Sequence, residues 1–568
     1  MKKSKRNPVI LVFGVLALGV LLLAPNKLTL QSVIPDAPPP TVVTVNPMAD
    51  VVKNPKLDGP LDSLVRTYMI QGADAARNLA FNSQLSYIND EIQVIVESSP
   101  ASTALNSYAQ TEVLKRQIQA SGGTVELGYR AEVQCRADIP LIHALTQNPL
   151  VKFVRLPFVV VPTVTSEGVN STKANLFQSA TPYRGPGTGT KTCILDIGFT
   201  GYTGLLGVEL PSTVTQRSFR ADGRYDIDVH GKACAEIVYD MAPNAPLYLV
   251  NFNTDLEQHT AVDYLNNEGV KVVSYSLAWY NAGDGKGTGP ICEDVKKFTD
   301  RGGVWASAAG NSALDHYEGT FADGNGNRFH NYTSADEILD WYVPAYTLTG
   351  VWLNWDDWGS WNSSSLSYSG SGNDYDMYLY YWWGGVWNYA ASSTGYQTGS
   401  QRPVEAIAYW YANQPTYWGV AIYRYSTSSN RKLELFIEGN SNTVEYNVQD
   451  GSVLVPADAP TAVAVGAVDW SNDSRSPYHT YSSLGPTHDN RTKPDISAPS
   501  RVSTSTYGNM NNFAGTSPST PHVAGAYALL KEKTPFTMDQ IKQILAARAK
   551  NLGSANTYGV GSLRLKKD

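Results

Sequence analysis

The stretch that most constrains this chain is GTSPSTPHVAGAYALL, residues 515–530. Pro518 and Pro521 follow closely behind Ser517, and the small and apolar residues after them contain no further helix breaker. Because proline is best tolerated in the first turn of a helix, this pattern predicts a helix that begins near Ser517. A helix N-terminus presents unpaired N–H groups and a partial positive charge, which suits an oxygen that becomes anionic. Ser517 is therefore a candidate nucleophile, although the same position also suits an N-cap.

Length and composition narrow the classes of protein to consider. A chain of 568 residues suggests about three to four domains. With 42% hydrophobic and 17% charged residues, it has the composition of a globular protein. The net charge of -7 does not favour nucleic acid as a partner. Four cysteines are too few for a disulfide framework, which leaves one or two bridges and free buried thiols as alternatives.

The first 25 residues predict export. Basic residues at positions 2, 3, 5 and 6 precede an apolar stretch at 9–24, which is typical of a secretory signal. No clear cleavage triplet follows, so an uncleaved membrane anchor remains the alternative. Residues 26–60, with the run PDAPPP, predict an extended linker.

Two kinds of alternating pattern follow the linker. Residues 61–165 contain a β-α-β-β-α-β order, which predicts a small ferredoxin-like α+β domain. Strands then alternate with helices over 180–316 and again over 453–568. This predicts an α/β domain with a doubly wound, mainly parallel sheet, in which ligands bind at the carboxyl ends of the strands.

The alternation is interrupted at residues 317–452. This segment contains ten of the 13 tryptophans and short β-prone runs separated by Gly, Ser and Asn turns, which predicts an inserted β-sandwich. Its aromatic residues fit either a sandwich core with its cover or a surface that binds sugar or protein. The run DGNGN at 323–327 fits a polar turn better than a calcium loop, because no acidic residue occupies the twelfth position.

Three further residues could serve a nucleophilic Ser517. Asp196 follows the short strand CIL, His230 opens a helix, and Asn311 follows a strand that ends in AAG. Strand ends and helix starts of this kind converge on one crevice in a parallel sheet. A carboxylate, an imidazole and an amide would provide the orienter, the base and the oxyanion donor for acyl transfer. Each residue on its own also fits a turn or a cap.

Together these segments resemble the subtilisin-like serine proteases, the subtilases. The matching motifs are DIG at 196, HG at 230, AAGN ending at 311 and GTS ending at 517, with PHVAG at 521–525 and KPDISAP at 493–499. The similarity covers residues 191–317 and 454–530. It implies a serine endopeptidase in which Asp196, His230 and Ser517 form the triad and Asn311 assists the oxyanion. Lys232 and the pair Pro518-Ser519 depart from the usual pattern, but no reacting group is lost.

The same resemblance implies further roles. Ser276, Leu277 and Ala278 would form one wall of the substrate pocket, and Ala308, Ala309 and Gly310 the other. Ala278 stands where the family usually has Gly, which predicts a narrower pocket. Cys234 resembles a thiol that some subtilases keep beneath the histidine, and a buried apolar role suits it equally.

The domain at 61–165 lies where the family carries a propeptide, which implies an intramolecular inhibitor that is cut off between about residues 161 and 185. Protein or peptide substrates are implied, no cofactor is required and no metal ligands are predicted, while structural calcium stays open. The run DYDMYLY at 374–380 resembles a strand of the bacterial prepeptidase C-terminal type of β-sandwich. A non-catalytic surface adhesin on the same scaffold is the alternative function.

Overall fold

The computed structural model describes residues 54, 56–57, 59–82, 87–88, 90–99, 104–129, 131–155, 165–182, 189–439, 443–475 and 479–567. The predicted signal stretch and almost all of the predicted linker lie outside these residues, as do residues 161–164 and 183–185 of the predicted cleavage segment. The described residues form two compact units, one that ends at residue 155 and one that begins at residue 165. Among the helices of the described residues, none combines the length and apolarity needed to cross a bilayer.

The first unit is a small α+β unit. Its elements are α1 (Gly59–Gln71), α2 (Ala73–Asn82), β1 (Tyr87–Ile88), β2 (Glu91–Ser98), α3 (Ala104–Ala120), β3 (Thr124–Tyr129), β4 (Glu132–Ala137), α4 (Ile139–Gln147) and β5 (Val151–Arg155). The antiparallel sheet has the order β1-β2-β4-β3, and β5 also pairs with β2, at residues 95–98. From β2 onward the elements follow the order β-α-β-β-α-β. The pair α1 and α2 precedes them and has no counterpart in the sequence pattern.

The second unit begins with alternating strands and helices. These are α5 (Glu167–Ser171), α6 (Asn175–Gln178), β6 (Thr192–Asp196), β7 (Thr215–Ser218), α7 (His230–Met241), β8 (Leu247–Asn251), α8 (Asp255–Glu268), β9 (Val272–Tyr275), α9 (Pro290–Thr299) and β10 (Val304–Ala308). Local chemistry sets several boundaries. Thr254 and Glu257 form a capping box that starts α8, and Gly269 ends it with a left-handed backbone.

Strands alone make up the next segment. They are β11 (His316–Thr320), β12 (Leu339–Val343), β13 (Thr347–Trp355), β14 (Trp361–Asn362), β15 (Ser367–Tyr368), β16 (Asp374–Trp383), β17 (Val386–Ser393), β18 (Val404–Ala412), β19 (Thr416–Ser426) and β20 (Lys432–Glu438). They build two 4-stranded antiparallel sheets of order β11-β20-β13-β18 and β12-β19-β16-β17. The sheets share an apolar core that includes Trp341 and Trp355, both fully buried. Other aromatic side chains, among them Trp382 and Trp383, are exposed.

The turn at 323–327 is held by direct side-chain contacts. Asn325 and Asn327 donate their amides to Glu337, each at 2.8 Å. Asp323 forms an ion pair with Arg424 at 2.6 Å. These contacts hold the turn through protein side chains.

The chain then completes the α/β layer. The remaining elements are β21 (Val463–Asp469), β22 (Ile496–Ser500), β23 (Val502–Thr504), β24 (Gly508–Phe513), α10 (Thr516–Lys533), α11 (Met538–Arg548) and α12 (Ala555–Tyr558). The α/β segments before and after the inserted strands together form a 7-stranded sheet. Its order is β22-β21-β10-β9-β6-β8-β7, and each of its strand pairs is parallel. The prediction of an α/β fold with a parallel sheet is confirmed.

The inserted strands pack against the α/β layer through aromatic contacts. Tyr280, in the loop after β9, stacks on Trp352 of β13 with ring centroids 4.4 Å apart. Asn281 donates its amide to the carbonyl oxygens of Leu353 and Glu405, at 3.2 and 3.1 Å. The loop that follows β9 is therefore fixed by the insertion.

Candidate active site

A buried carboxylate and imidazole meet at the carboxyl end of β6. Asp196 is the last residue of that strand and is fully buried, and His230 is the first residue of α7. Nδ1 of His230 lies 2.9 Å from Oδ2 and 3.0 Å from Oδ1 of Asp196. Since a carboxylate only accepts, Nδ1 carries a proton and Nε2 is left as the basic nitrogen.

The charge around His230 favours the protonated ring. Burial alone lowers the pKa of His230, but the negative charges of Asp196 and Asp228 and the hydrogen bond to Asp196 outweigh it and raise the pKa above its usual value. Asp228 also accepts the backbone N–H of His230 at 2.6 Å. The sequence analysis missed Asp228, although its place two residues before the histidine was a usable signal.

Position 231 has no room for a side chain, so it requires glycine. A Cβ there would lie 2.7 Å from Cβ of Asp196 and 2.7 Å from the carbonyl oxygen of Gly198. Only a residue without a side chain lets the start of α7 approach the end of β6 so closely. The HG motif therefore has a packing cause.

Ser517 is the second residue of α10, and the backbone before it is held from several sides. Gly515 is the N-cap with φ 114°, a left-handed value that favours glycine. Its N–H donates to the hydroxyl of Tyr481 at 2.8 Å. Oδ1 of Asn311 accepts the backbone N–H of Thr516 at 2.8 Å and its hydroxyl at 3.0 Å. The amide nitrogen of Asn311 is therefore left free of these contacts at the start of the helix.

A proline inside α10 changes the hydrogen bonding of Ser517. Pro521 lacks the N–H that would donate to the carbonyl oxygen of Ser517 in a regular helix. That oxygen accepts the hydroxyl of Ser276 at 2.9 Å instead, with the thiol of Cys234 at 3.9 Å. Burial raises the pKa of the Cys234 thiol well above its usual value, so the thiol stays protonated and donates. Ser276 was predicted as a pocket wall, and the structure also makes it a support for Ser517.

The side chain of Ser517 is almost fully buried, with 3% of the residue exposed. Its hydroxyl donates to the carbonyl oxygen of Ser276 at 3.5 Å. No hydrogen bond joins it to His230 among the described side chains. The ring of Phe513 meets the His230 ring edge to face, with centroids 5.9 Å apart.

The predicted pocket residues follow two neighbouring strands. Residues 276–278 come directly after β9, and Ala309 and Gly310 follow Ala308, the last residue of β10. Because β9 and β10 are adjacent and parallel, the two segments leave the same edge of the sheet. Ala278 packs on an apolar cluster of Trp352, Phe436 and Leu454, the first two of which belong to the insertion. This contribution of the insertion has no signal in the sequence.

The cysteines of the described chain form no disulfide bonds. All four cysteines, at 135, 193, 234 and 292, lie in the described part of the chain and are buried free thiols. Of the two alternatives from the sequence, the structure shows free thiols.

Comparisons with known proteins agree with the motifs. The family model of the subtilases matches residues 385–561, a segment that contains Ser517. Subtilisin Savinase of Lederbergia lenta is 39% identical over 137 residues, which are 24% of this chain and 45% of the relative. An alkaline protease of Alkalihalobacillus alcalophilus is 39% identical over 24% of this chain and 32% of its own length. The chain thus spans less than half the length of these curated relatives.

A solved structure, the Clostridium perfringens CspB protease, also aligns with the chain. It shares 16% identity and covers 70% of this chain and 97% of its own, with a TM-score of 0.48.

Proposed function

We propose that this chain, which matches the subtilase family model over residues 385–561, is a serine endopeptidase that cleaves protein or peptide substrates through an acyl-enzyme on Ser517. The observation that carries the proposal is the buried pair of Asp196 and His230 at 2.9 Å, together with a buried serine at the N-terminus of α10. A carboxylate, an imidazole and such a serine are the groups that acyl transfer needs. No cofactor takes part in this chemistry.

In the proposed reaction, Oγ of Ser517 attacks the scissile carbonyl while Nε2 of His230 takes the proton of the Ser517 hydroxyl. Asp196 holds the proton on Nδ1 and stabilises the imidazolium that results. The amide of Asn311 and the backbone N–H of Ser517 donate to the oxyanion. His230 then gives its proton to the leaving amine, and water releases the acyl group by the same route.

Backbone restraint supports this role for Ser517. The carbonyl oxygen of Ser517 is bound by Ser276, and the preceding residues are bound by Asn311 and Tyr481. We expect rotation of the Ser517 side chain to move its hydroxyl from the carbonyl of Ser276 toward His230 while the backbone stays in place. Pre-organisation of this kind lowers the entropic part of the barrier.

Labelling with a fluorophosphonate probe tests the nucleophile. We expect the mature protein to be labelled at Ser517 and the variant Ser517→Ala to remain unlabelled. Ser519→Ala is the matched control, because Ser519 is a buried serine of the same helix whose hydroxyl donates to the carbonyl of Pro499 at 3.1 Å. Absence of labelling in the folded wild type would favour the adhesin.

We further propose that residues 61–165 act as an intramolecular inhibitor that is removed by cleavage between about residues 161 and 185. This proposal is supported by the position of the segment ahead of the α/β layer and by its β-α-β-β-α-β order. N-terminal sequencing of the wild type and of Ser517→Ala tests it. We expect a new terminus in the wild type alone, and identical termini would contradict it.

Export, with the protein either secreted or held at the membrane by residues 1–25, is proposed from the basic and apolar pattern of that stretch. Fractionation of expressing cells, with the full chain compared with a variant that lacks residues 2–25, measures it. Retention of the truncated protein inside the cell, with the full chain outside or at the membrane, is the expected result.

A further inference from the structure

A second group of ionisable side chains lies where the insertion meets the α/β layer. His316 and Glu318 belong to β11, Glu434 to β20, and His488 to the loop between β21 and β22. Ligand atoms of Glu318, Glu434 and His488 all lie within 4.8 Å of one another. His316 is fully buried, and the side chain of Glu434 is 9% exposed. None of these residues belongs to the candidate active site.

The strand register places two carboxylates against each other. Glu318 and Glu434 are direct partners across the antiparallel pair of β11 and β20. Like charges directly opposite each other in a sheet are destabilising. A cation between them would turn this repulsion into attraction.

Both imidazole rings turn their Nε2 atoms toward Glu434. Nδ1 of His316 lies 2.6 Å from the carbonyl oxygen of Val448, and Nδ1 of His488 lies 3.0 Å from that of Asp284. Because a carbonyl only accepts, each Nδ1 carries a proton, and a ring that loses its second proton would present a lone pair on Nε2. Histidines that bind metals usually donate their other N–H in this way.

Neighbouring donors also orient the carboxylates. The amide of Asn354 donates to Oε2 of Glu434 at 2.6 Å, and Lys432 pairs with Oε1 of Glu318 at 2.6 Å. The remaining oxygens, Oε1 of Glu434 and Oε2 of Glu318, face Nε2 of His488 at 3.1 and 3.4 Å. Yet Nε2 of His488 is buried and forms no hydrogen bond, so the oxygens lie beside the direction of its N–H.

These separations match the distance between neighbouring ligand atoms around a tetrahedral metal ion. Zinc bonds to imidazole nitrogen and carboxylate oxygen of about 2.0–2.1 Å place neighbouring ligand atoms about 3.3–3.4 Å apart. We propose that Glu318, Glu434 and His488 bind one divalent transition-metal ion of the zinc class, which ties the insertion to the α/β layer. His316, whose Nε2 is 3.2 Å from the same oxygen of Glu434, is a further imidazole beside the site.

A proton is the competing occupant. The charge of Glu434 and the contacts with Glu318 raise the pKa of His488 to about 11 against the opposing effect of burial, so without an ion the ring is a cation. When the ion binds, His488 loses that proton. The singly charged imidazolium is then replaced by a doubly charged metal ion. Zinc must displace this proton in order to bind, so the titration decides between the two occupants.

The test uses the full chain in a Ser517→Ala background, so that it does not digest itself. The protein is stripped with a chelator and titrated with zinc by calorimetry, and bound metal is counted by elemental analysis. Cobalt is then added as a spectroscopic probe, because a four-coordinate site gives intense visible absorption. We expect one zinc per chain, a rise in melting temperature with zinc, and zinc affinity lower by at least about 100-fold in His488→Gln and in Glu434→Gln.

Two control variants make the result specific. His330→Gln alters a buried histidine of the insertion that bonds to Tyr317 rather than to the cluster, and zinc affinity should stay within a few-fold of the parent. Asp196, His230 and Cys234 are a second group of side chains that could bind a metal. His230→Gln removes one of them, and this variant should still bind zinc at the proposed site.

Two outcomes would overturn the proposal. One is the absence of stoichiometric zinc and of a cobalt spectrum in the parent. The other is zinc binding that survives His488→Gln but is lost in His230→Gln. If Glu434→Gln fails to fold, the partly exposed His488 still decides the question through its own variant.

Discussion

The α/β layer and the inserted sandwich both bury ionisable side chains, but they position them differently. Asp196, His230 and Ser517 lie at ends of strands or helices, where free backbone groups help to hold them. His316, Glu318 and Glu434 lie within paired strands, where backbone groups are used by the sheet. The first arrangement depends on short motifs, and the second depends on strand register. The comparison predicts that the two regions respond differently to substitution.

The largest expected effect is in the α/β layer. Asp196→Asn should lower kcat/KM by about 10³–10⁴-fold with the fold intact, because the amide no longer holds the proton of His230 on Nδ1. Steady-state hydrolysis of a peptide substrate measures this. The matched control is Asp294→Asn, which alters another Asp–His pair, in which the buried Asp294 lies 2.8 Å from the partly exposed His259, and should change kcat/KM by only a few-fold. Equal losses in both variants would mean that Asp196 acts through stability alone.

The next effect concerns the sandwich. Trp355→Ala should lower the free energy of unfolding by about 3–5 kcal/mol, because a fully buried indole leaves a cavity. The core around Trp355 consists of side chains of the insertion, so kcat/KM of the folded fraction should stay within about twofold. Denaturant titration and active-site counting measure the two quantities, with Trp355→Phe as the milder control. A parallel fall in kcat/KM would show that the two regions are coupled.

The third expectation concerns pH. A base must be neutral, and the pKa of His230 is raised, so kcat/KM should increase with pH through a midpoint above about 6.5. Asp228→Asn removes one of the charges that raise this pKa and should move the acidic limb to lower pH. The exposed Asp226 is the control, and Asp226→Asn should shift the limb less. A limb that did not move in Asp228→Asn would contradict the assigned cause.

The smallest effect lies where the two regions meet. Ala278→Gly should raise the preference for Phe over Ala before the scissile bond by about tenfold, since a methyl group leaves the pocket wall. The ratio of kcat/KM for two matched peptides measures it. Ala282→Gly, in the same loop but in a different apolar cluster, should leave the ratio unchanged. A narrow pocket in both variants would remove Ala278 as its cause.

Much of the α/β layer could be predicted because its signals are local. Alternating apolar strands and helices predicted the parallel sheet, and the resemblance to subtilases is confirmed by the family match over 385–561. The roles of Asp196, His230, Asn311 and Ser517 stay predictions, although the structure places Asp196 against His230 and Asn311 against Thr516. The prolines at 518 and 521 predicted a helix near Ser517, but α10 begins before both of them and contains Pro521.

What the sequence determined by itself is therefore the class of fold and the position of each motif along the chain. Proline, glycine and capping residues act within a few residues, so their consequences can be deduced from neighbours alone. Only the tertiary structure decided that Ser276 replaces the helix bond that Pro521 cannot make, and that Glu318 faces Glu434 beside His488. Those contacts join residues far apart in sequence, and strand register and packing, which no local pattern encodes, bring them together.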